Sequence, residues 1–161
     1  MVFSRGGFIP PLFLTVTGKR AGVDRVGNNG IINSGSDVTM NRREKNTGVF
    51  ANLPVPMQLR YVKRIARKYD IDLSGLRIRI DKNPDNIGSG ITGVSNPARI
   101  GEIILEPDAF TSEEELARTL FHEKVHVEQF RQYGGTHVME NHTFFENEAY
   151  TLEEERFGKR S

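Results

Sequence analysis

The sequence predicts an α+β fold in which helices pack against a small sheet. Apolar residues recur at helical spacing in three stretches, and two short segments with strand patterns lie between the first stretch and the second. Residues 1–52 differ from the rest because they hold eight of the 16 glycines and show little periodicity. With 161 residues and 37% hydrophobic content, the chain can bury one modest core. We therefore expect an irregular glycine-rich arm over residues 1–52 and one domain over residues 53–161.

Two short apolar pieces stand out in the arm, and the first helix follows it. Residues 12–16 have the composition of a strand, and Val49 and Phe50 can anchor the end of the arm. A helix is predicted from Pro54 to about Tyr69, with a proline in its first turn, where a missing N–H costs nothing. Its apolar residues are backed by a basic face formed by Arg60, Lys63, Arg64, Arg67 and Lys68.

The charge distribution bears on possible partners. Residues 1–70 carry a net charge of +8 and the remainder −7. A basic half can indicate nucleic-acid binding. The densest cluster of basic residues, however, lies on one face of the predicted first helix, and a helix face exposed to solvent is sufficient to explain these charges. A contact with the acidic half or with an acidic partner is the alternative. No run of 18 apolar residues occurs, and the amino terminus lacks a signal-peptide layout. We expect neither nucleic acid nor membrane as a partner.

Two strands are predicted after the first helix. Residues 76–80 alternate strictly between apolar and charged side chains, which is typical of a half-buried strand. Residues 88–97 are expected to form a loop or a ragged hairpin connection. Residues 99–105 predict a second strand, which Pro107 ends.

The second helix carries the most informative motif of the chain. Ser112 and Glu115 form a capping box, and Gly134 is a suitable stop. Inside this helix lies His122-Glu123-Lys124-Val125-His126, which has the form H-E-x-x-H. Residues four apart on a helix are separated by about 40° around the axis and about 6 Å along it, so both imidazoles can reach one metal ion. Glu123 then falls beside the ion, in position to act as a general base.

A third ligand must come from elsewhere in the chain. The sequence has no cysteine, so the ligands must be histidines and carboxylates. The longer pattern H-E-x-x-H-x-x-G-x-x-H is excluded because Gln129 and Gln132 occupy its last two positions. A final helix is predicted from about Asn141 or Thr143 to Phe157, with Gly158 as its stop. It offers Glu146 and Glu148, of which at most one should bind because they point to different helix faces.

These residues resemble the zincin-like metallopeptidases of the gluzincin kind. In that family the third ligand is a glutamate on the helix after the H-E-x-x-H helix, and Asn147-Glu148-Ala149 is similar to the string that contains it. The resemblance implies a zincin-like fold with a small sheet packed on the two helices. It also implies a Zn²⁺ cofactor held by His122, His126 and Glu148, with Glu123 as the general base.

The activity implied is hydrolysis of peptide bonds by a metal-activated water. The tetrahedral intermediate needs an oxyanion donor, for which Tyr150, His137 and His142 are the candidates, and Tyr150 is the one we assign. The strand at residues 99–105 precedes the metal helix and is expected to hold an extended substrate by edge pairing, as zincins do. The expected substrate is a protein or peptide.

A narrower resemblance concerns biological context. Residues 116–129, LARTLFHEKVHVEQ, look like the metallopeptidase domains at the carboxyl ends of bacterial polymorphic toxins and in some phage proteins. This implies a toxin effector domain, delivered as the C-terminal part of a larger bacterial protein into a target-cell cytoplasm. A cognate immunity protein is then an expected partner. The alternatives are a phage or processing peptidase and a catalytically inactive zincin-fold binding module.

Overall fold

The computed structural model describes residues 45–160, so the predicted strand at residues 12–16 and most of the arm lie outside the described residues. The described part is α+β, as predicted. Its helices and strands, in chain order, are α1 (Leu59–Lys68), β1 (Arg77–Ile80), β2 (Gly93–Ser95), β3 (Glu102–Leu105), α2 (Glu113–Tyr133), α3 (Gly135–Glu140) and α4 (His142–Phe157).

The three strands form one mixed sheet in the order β1-β3-β2. β1 runs parallel to β3, and β2 runs antiparallel to it, so β3 is the central strand. Burial agrees with this position, since Ile103 and Leu105 are both fully buried. β2 lies within the segment expected to be a loop or a hairpin connection. Its three residues include one apolar side chain, which is too short a pattern for the sequence to indicate a strand.

The first helix is shorter than predicted. It begins at Leu59 rather than near Pro54. A residue that precedes a proline avoids the helical conformation, and Val55 precedes Pro56, so the helix cannot easily continue from Pro54 through Val55. Its apolar side is buried and its basic side faces solvent, which agrees with the solvated-face interpretation. Phe50 packs against the same core, whereas Val49 is 65% exposed.

The metal-motif helix α2 is confirmed, with its predicted ends. The Ser112 side chain accepts a hydrogen bond from the Glu115 amide at 2.9 Å, and Gly134 ends the helix with a φ of 82°. The core around it is formed by buried residues of α1, β3 and α2, among them Val62, Ile65, Ile103, Leu105, Leu116, Leu120 and Val127. α2 therefore runs through the centre of the domain.

The last helix is also confirmed, but a short helix that was not predicted precedes it. Gly134 turns the chain into α3, and α4 then returns alongside α2. A second apolar cluster of Phe130, Val138 and Phe145 joins these three helices. This arrangement brings the acidic residues of α4 next to the histidines of α2. None of the helices within residues 45–160 is long and apolar enough to cross a membrane.

Candidate metal centre

The two motif histidines converge on one point. His122 and His126 are each 8% exposed, and their Nε2 atoms lie 3.1 Å apart. This is the convergence that the i, i+4 spacing predicts for a helix.

Both imidazoles are held from behind through Nδ1. Nδ1 of His122 donates to the Glu153 carboxylate at 3.2 Å, and Nδ1 of His126 donates to the Gln129 side-chain oxygen at 2.8 Å. The Gln129 amide is itself oriented, because its nitrogen donates to the Phe145 carbonyl at 3.1 Å and to the Glu148 carboxylate at 2.8 Å. With the protons on Nδ1, both Nε2 atoms present lone pairs to each other. Such outer hydrogen bonds are characteristic of metal-binding histidines.

Glu146 is the carboxylate that meets these nitrogens. Its oxygens lie 3.4 Å from Nε2 of His122 and 3.2 Å from Nε2 of His126. One possible ligand atom from each of the three residues lies within 4.8 Å of the other two. Within residues 45–160, this is the one cluster of three or more histidine or carboxylate side chains that could hold a metal ion. Three electron-pair donors at these distances repel one another unless a cation or a proton lies between them.

The carboxylate that the structure places at the two histidines is Glu146, whereas the expected third ligand, Glu148, lies elsewhere. Positions two apart on a helix differ by about 200°, so the two glutamates cannot face the same point. Glu148 instead accepts the hydrogen bond from Gln129, which orients His126 from the outside.

The proposed base, Glu123, lies beside the cluster and is 6% exposed. The Ser95 hydroxyl donates to its carboxylate at 2.7 Å. Burial raises the pKa of Glu123, and the Ser95 hydrogen bond and the two histidines offset part of this rise. A buried carboxylate with a raised pKa is suited to accepting a proton.

Strand β2 reaches Glu123 because residue 93 is a glycine. A Cβ atom at Gly93 would lie 2.7 Å from Cγ2 of Thr119 and 2.9 Å from Cγ of Glu123. Neither Gly93 nor Ser95 is among the predicted site residues, because the sequence predicts no strand there. The sequence does contain one signal for this contact. Gly93 and Ser95 are small residues two positions apart, so in a strand they lie on the same face, which can then approach another element closely.

The pKa of His122 reflects its acidic surroundings. Burial lowers this pKa, but the hydrogen bond that His122 donates to Glu153 and the negative charges of Glu123 and Glu146 outweigh burial and leave the pKa raised. The surroundings of His122 therefore favour positive charge on its ring.

A cleft of about 360 Å³ opens beside Glu123, His126 and Glu146. Much of its lining is apolar and comes from Val94, Pro97, Ile104, Phe130, Val138 and Met139. The cleft thus places the acidic and imidazole groups at one wall of a largely apolar space.

The three candidate oxyanion donors lie in different places. His142 lines the cleft, and its Nε2 is 3.2 Å from a Glu146 oxygen. The Tyr150 ring lies 4.6 Å from the His122 ring and is half exposed, but Tyr150 is not among the residues that line this cleft. Burial and the charge of Glu146 raise the pKa of Tyr150. His137 is exposed and packs against Tyr133 and Phe145 instead.

The expected substrate strand also needs correction. β3 cannot pair with a substrate, because β1 and β2 already occupy both of its sides. The strand next to the cleft is β2. The Glu106 amide donates to the Thr92 carbonyl, so the backbone groups of Thr92 and Val94 face β3. Those of Gly93 and Ser95 point to the opposite edge of β2, where no other strand of residues 45–160 pairs.

Comparison of the chain with protein-family models, with curated proteins and with solved structures finds no match. The case for a function therefore depends on the geometry of the cluster and on the resemblance of its motif.

Proposed function

We propose that the protein is a zinc-dependent metallopeptidase of the gluzincin type. The observation that carries this proposal is the convergence of His122, His126 and Glu146 beside the buried carboxylate of Glu123. The combination supplies the ligands and the base that metal-assisted hydrolysis needs.

The donor set fits zinc. Two imidazole nitrogens and one carboxylate are a known catalytic zinc set, and three protein ligands leave a coordination position open. Both histidines also have the outer hydrogen bonds that hold the ligating nitrogen in place. When bound, the ion would polarise the scissile carbonyl and lower the pKa of a bound water.

The chain's own groups then perform the proton transfers. Glu123 accepts the proton of the attacking water and passes it to the leaving amine, and Ser95 holds one of its oxygens in a set direction. The candidate donors to the developing oxyanion are His142, which lines the cleft, and Tyr150, whose ring lies against His122.

The surroundings of the cluster suit an extended peptide. The free edge of β2 offers the backbone groups of Gly93 and Ser95 for antiparallel pairing. The apolar lining of the cleft suits an apolar side chain of that peptide. The expected substrate is therefore a polypeptide.

The variant Glu123→Gln tests the mechanism. It should keep one equivalent of zinc, because residue 123 is not a ligand, and should lose peptide hydrolysis by about 100-fold or more, the usual contribution of a general base. Glu128→Gln is the matched control, since Glu128 is a partly exposed glutamate on the same helix. Both variants and the wild type are assayed for bound zinc and for cleavage of a broad peptide library.

Cleavage by Glu123→Gln at the wild-type rate would rule out this mechanism. Equimolar zinc in a wild-type protein that cleaves no peptide would instead favour the catalytically inactive binding module. The toxin role, the delivery into a target cell and the immunity protein stay predictions from the resemblance. Equal growth of bacteria expressing wild type or Glu123→Ala in the cytoplasm would count against a toxin acting there.

A further inference from the structure

We propose that a charge network formed by the buried Arg118 and Glu153 and the partly exposed Arg160 positions His122, so that residues 158–160, which follow α4, help to hold a ligand of the proposed metal site in place. Arg160 acts on His122 through Glu153. This inference rests on the proposed metal site.

Glu153 is the connection between the network and the metal ligand. It is 1% exposed, and one of its oxygens accepts the 3.2 Å hydrogen bond from His122. Its other oxygen lies 3.3 Å from Nη1 of Arg118 and 2.9 Å from Nη2 of Arg160. A buried carboxylate is costly unless it is paired, and an apolar side chain would fill the same space at lower cost. Orienting His122 is the role that explains a charge at this position.

Arg118 is held in place by the end of α4. Its guanidinium donates to the carbonyl oxygens of Phe157 and Gly158, each at 3.0 Å, and its side chain is 5% exposed. The last carbonyls of a helix lack partners within the helix, so Arg118 satisfies that of Phe157, the last residue of α4, and also binds the carbonyl of Gly158 just after it. It also pairs with Glu114, and its charge is therefore shared among several acceptors.

Arg160 supplies the second positive charge and fixes the segment to the start of α2. Its Nη1 atom donates to both oxygens of Glu115 at 2.8 Å, and its Nε and Nη2 atoms reach Glu153. Gly158 allows this path, because its φ of 81° turns the chain back after the helix. Without Arg160, Glu153 would keep only the shared charge of Arg118, and the His122 ring would lose its fixed orientation.

The effect of the network is measured as zinc affinity, by competition with a chromophoric chelator. Arg160→Gln and Glu153→Gln should each weaken zinc binding by about 10- to 100-fold, the range for residues that orient a ligand. Arg160→Lys keeps the charge and should recover part of the loss. The matched control is Lys159→Gln, which removes the same charge from a neighbouring exposed position and should bind zinc as tightly as the wild type.

Two further readouts separate positioning from a merely structural role. Nitrogen-15 NMR of the metal-free protein, recorded at a pH high enough for the His122 ring to be neutral, should show His122 protonated at Nδ1 in the wild type and a mixture of tautomers in Arg160→Gln. The thermal midpoint of each metal-free variant shows whether it is folded at the titration temperature. Variants that melt earlier but bind zinc like the wild type would overturn the inference. A wild type that does not bind zinc would instead overturn the proposed function.

Discussion

At the scale of single residues, the identity of the third ligand depends on the rotation of α4. The side of α4 that packs on α2 contains Phe145, Ala149 and Glu153, all buried. Glu146 lies next to this stripe and reaches the histidines, whereas Glu148 reaches Gln129. Glu146 lies three positions before the buried Ala149, so the two residues share one side of α4. This spacing favours Glu146, whereas the resemblance of Asn147-Glu148-Ala149 to the gluzincin motif favours Glu148.

The two glutamates can be distinguished by zinc titration. Glu146→Gln removes a ligand and should weaken zinc binding by more than about 100-fold, beyond the range for an outer hydrogen-bond partner. Glu148→Gln keeps an acceptor for Gln129 and should cost less than about 10-fold. The opposite order of affinities would restore Glu148 as the ligand.

At the scale of elements, the contact between β2 and α2 assembles the base and the substrate edge. The Ser95 hydroxyl on β2 donates to the Glu123 carboxylate at 2.7 Å and also lies 2.9 Å from the backbone carbonyl oxygen of Glu123. The close approach depends on Gly93, because a side chain there would overlap α2. One short strand thus orients the base and borders the cleft.

Gly93→Ala tests this contact. The added Cβ should push β2 away from α2, destabilise the domain by about 1–3 kcal/mol, and reduce hydrolysis because Ser95 moves away from Glu123. The measurements are urea unfolding and the peptidase rate. Thr119→Ser removes the methyl group nearest the new Cβ, so the double variant should regain part of the lost stability. If the two changes were simply additive, the proposed overlap with Thr119 would be wrong.

At the scale of the whole molecule, the proposed metal site joins two different helices of residues 45–160. His122 and His126 belong to α2 and Glu146 to α4, and the helices also share the Arg118–Glu153 pair. A ligand that binds only the folded state stabilises it. Metal bound at this site therefore stabilises the packing of α4 on α2.

Removal of metal should lower the thermal midpoint. At a free zinc concentration 1,000 times the dissociation constant, the stabilisation is about 4 kcal/mol, which corresponds to a rise of roughly 10 °C in a chain of this size. The midpoint is compared after chelator treatment, after zinc addition and after Mg²⁺ addition. Mg²⁺ should have no effect, because it prefers all-oxygen ligands. An unchanged midpoint with zinc would contradict a site formed by these helices.

Much of the fold was predictable because it depends on local patterns. The capping box of α2, the glycine after it, the alternation in β1 and the apolar spacing of α4 are each written within one segment, and each element was found. The H-E-x-x-H motif is equally local, so the convergence of His122 and His126 on one point followed from helix geometry alone.

For residues 45–160, the sequence by itself thus determined three of the four α-helices, two of the three strands and the pair of histidines with Glu123 between them. Only the tertiary structure decided that Glu146 rather than Glu148 faces those histidines, that β3 is central and β2 is the edge, and that Ser95, Glu153 and Arg160 support the site. The reason is physical, because these relations depend on contacts between segments that are distant in the sequence. Ser95 and Glu123 are 28 residues apart, and His122 and Glu153 are 31 residues apart. Packing of whole elements selects such contacts, and no short pattern along the chain records them.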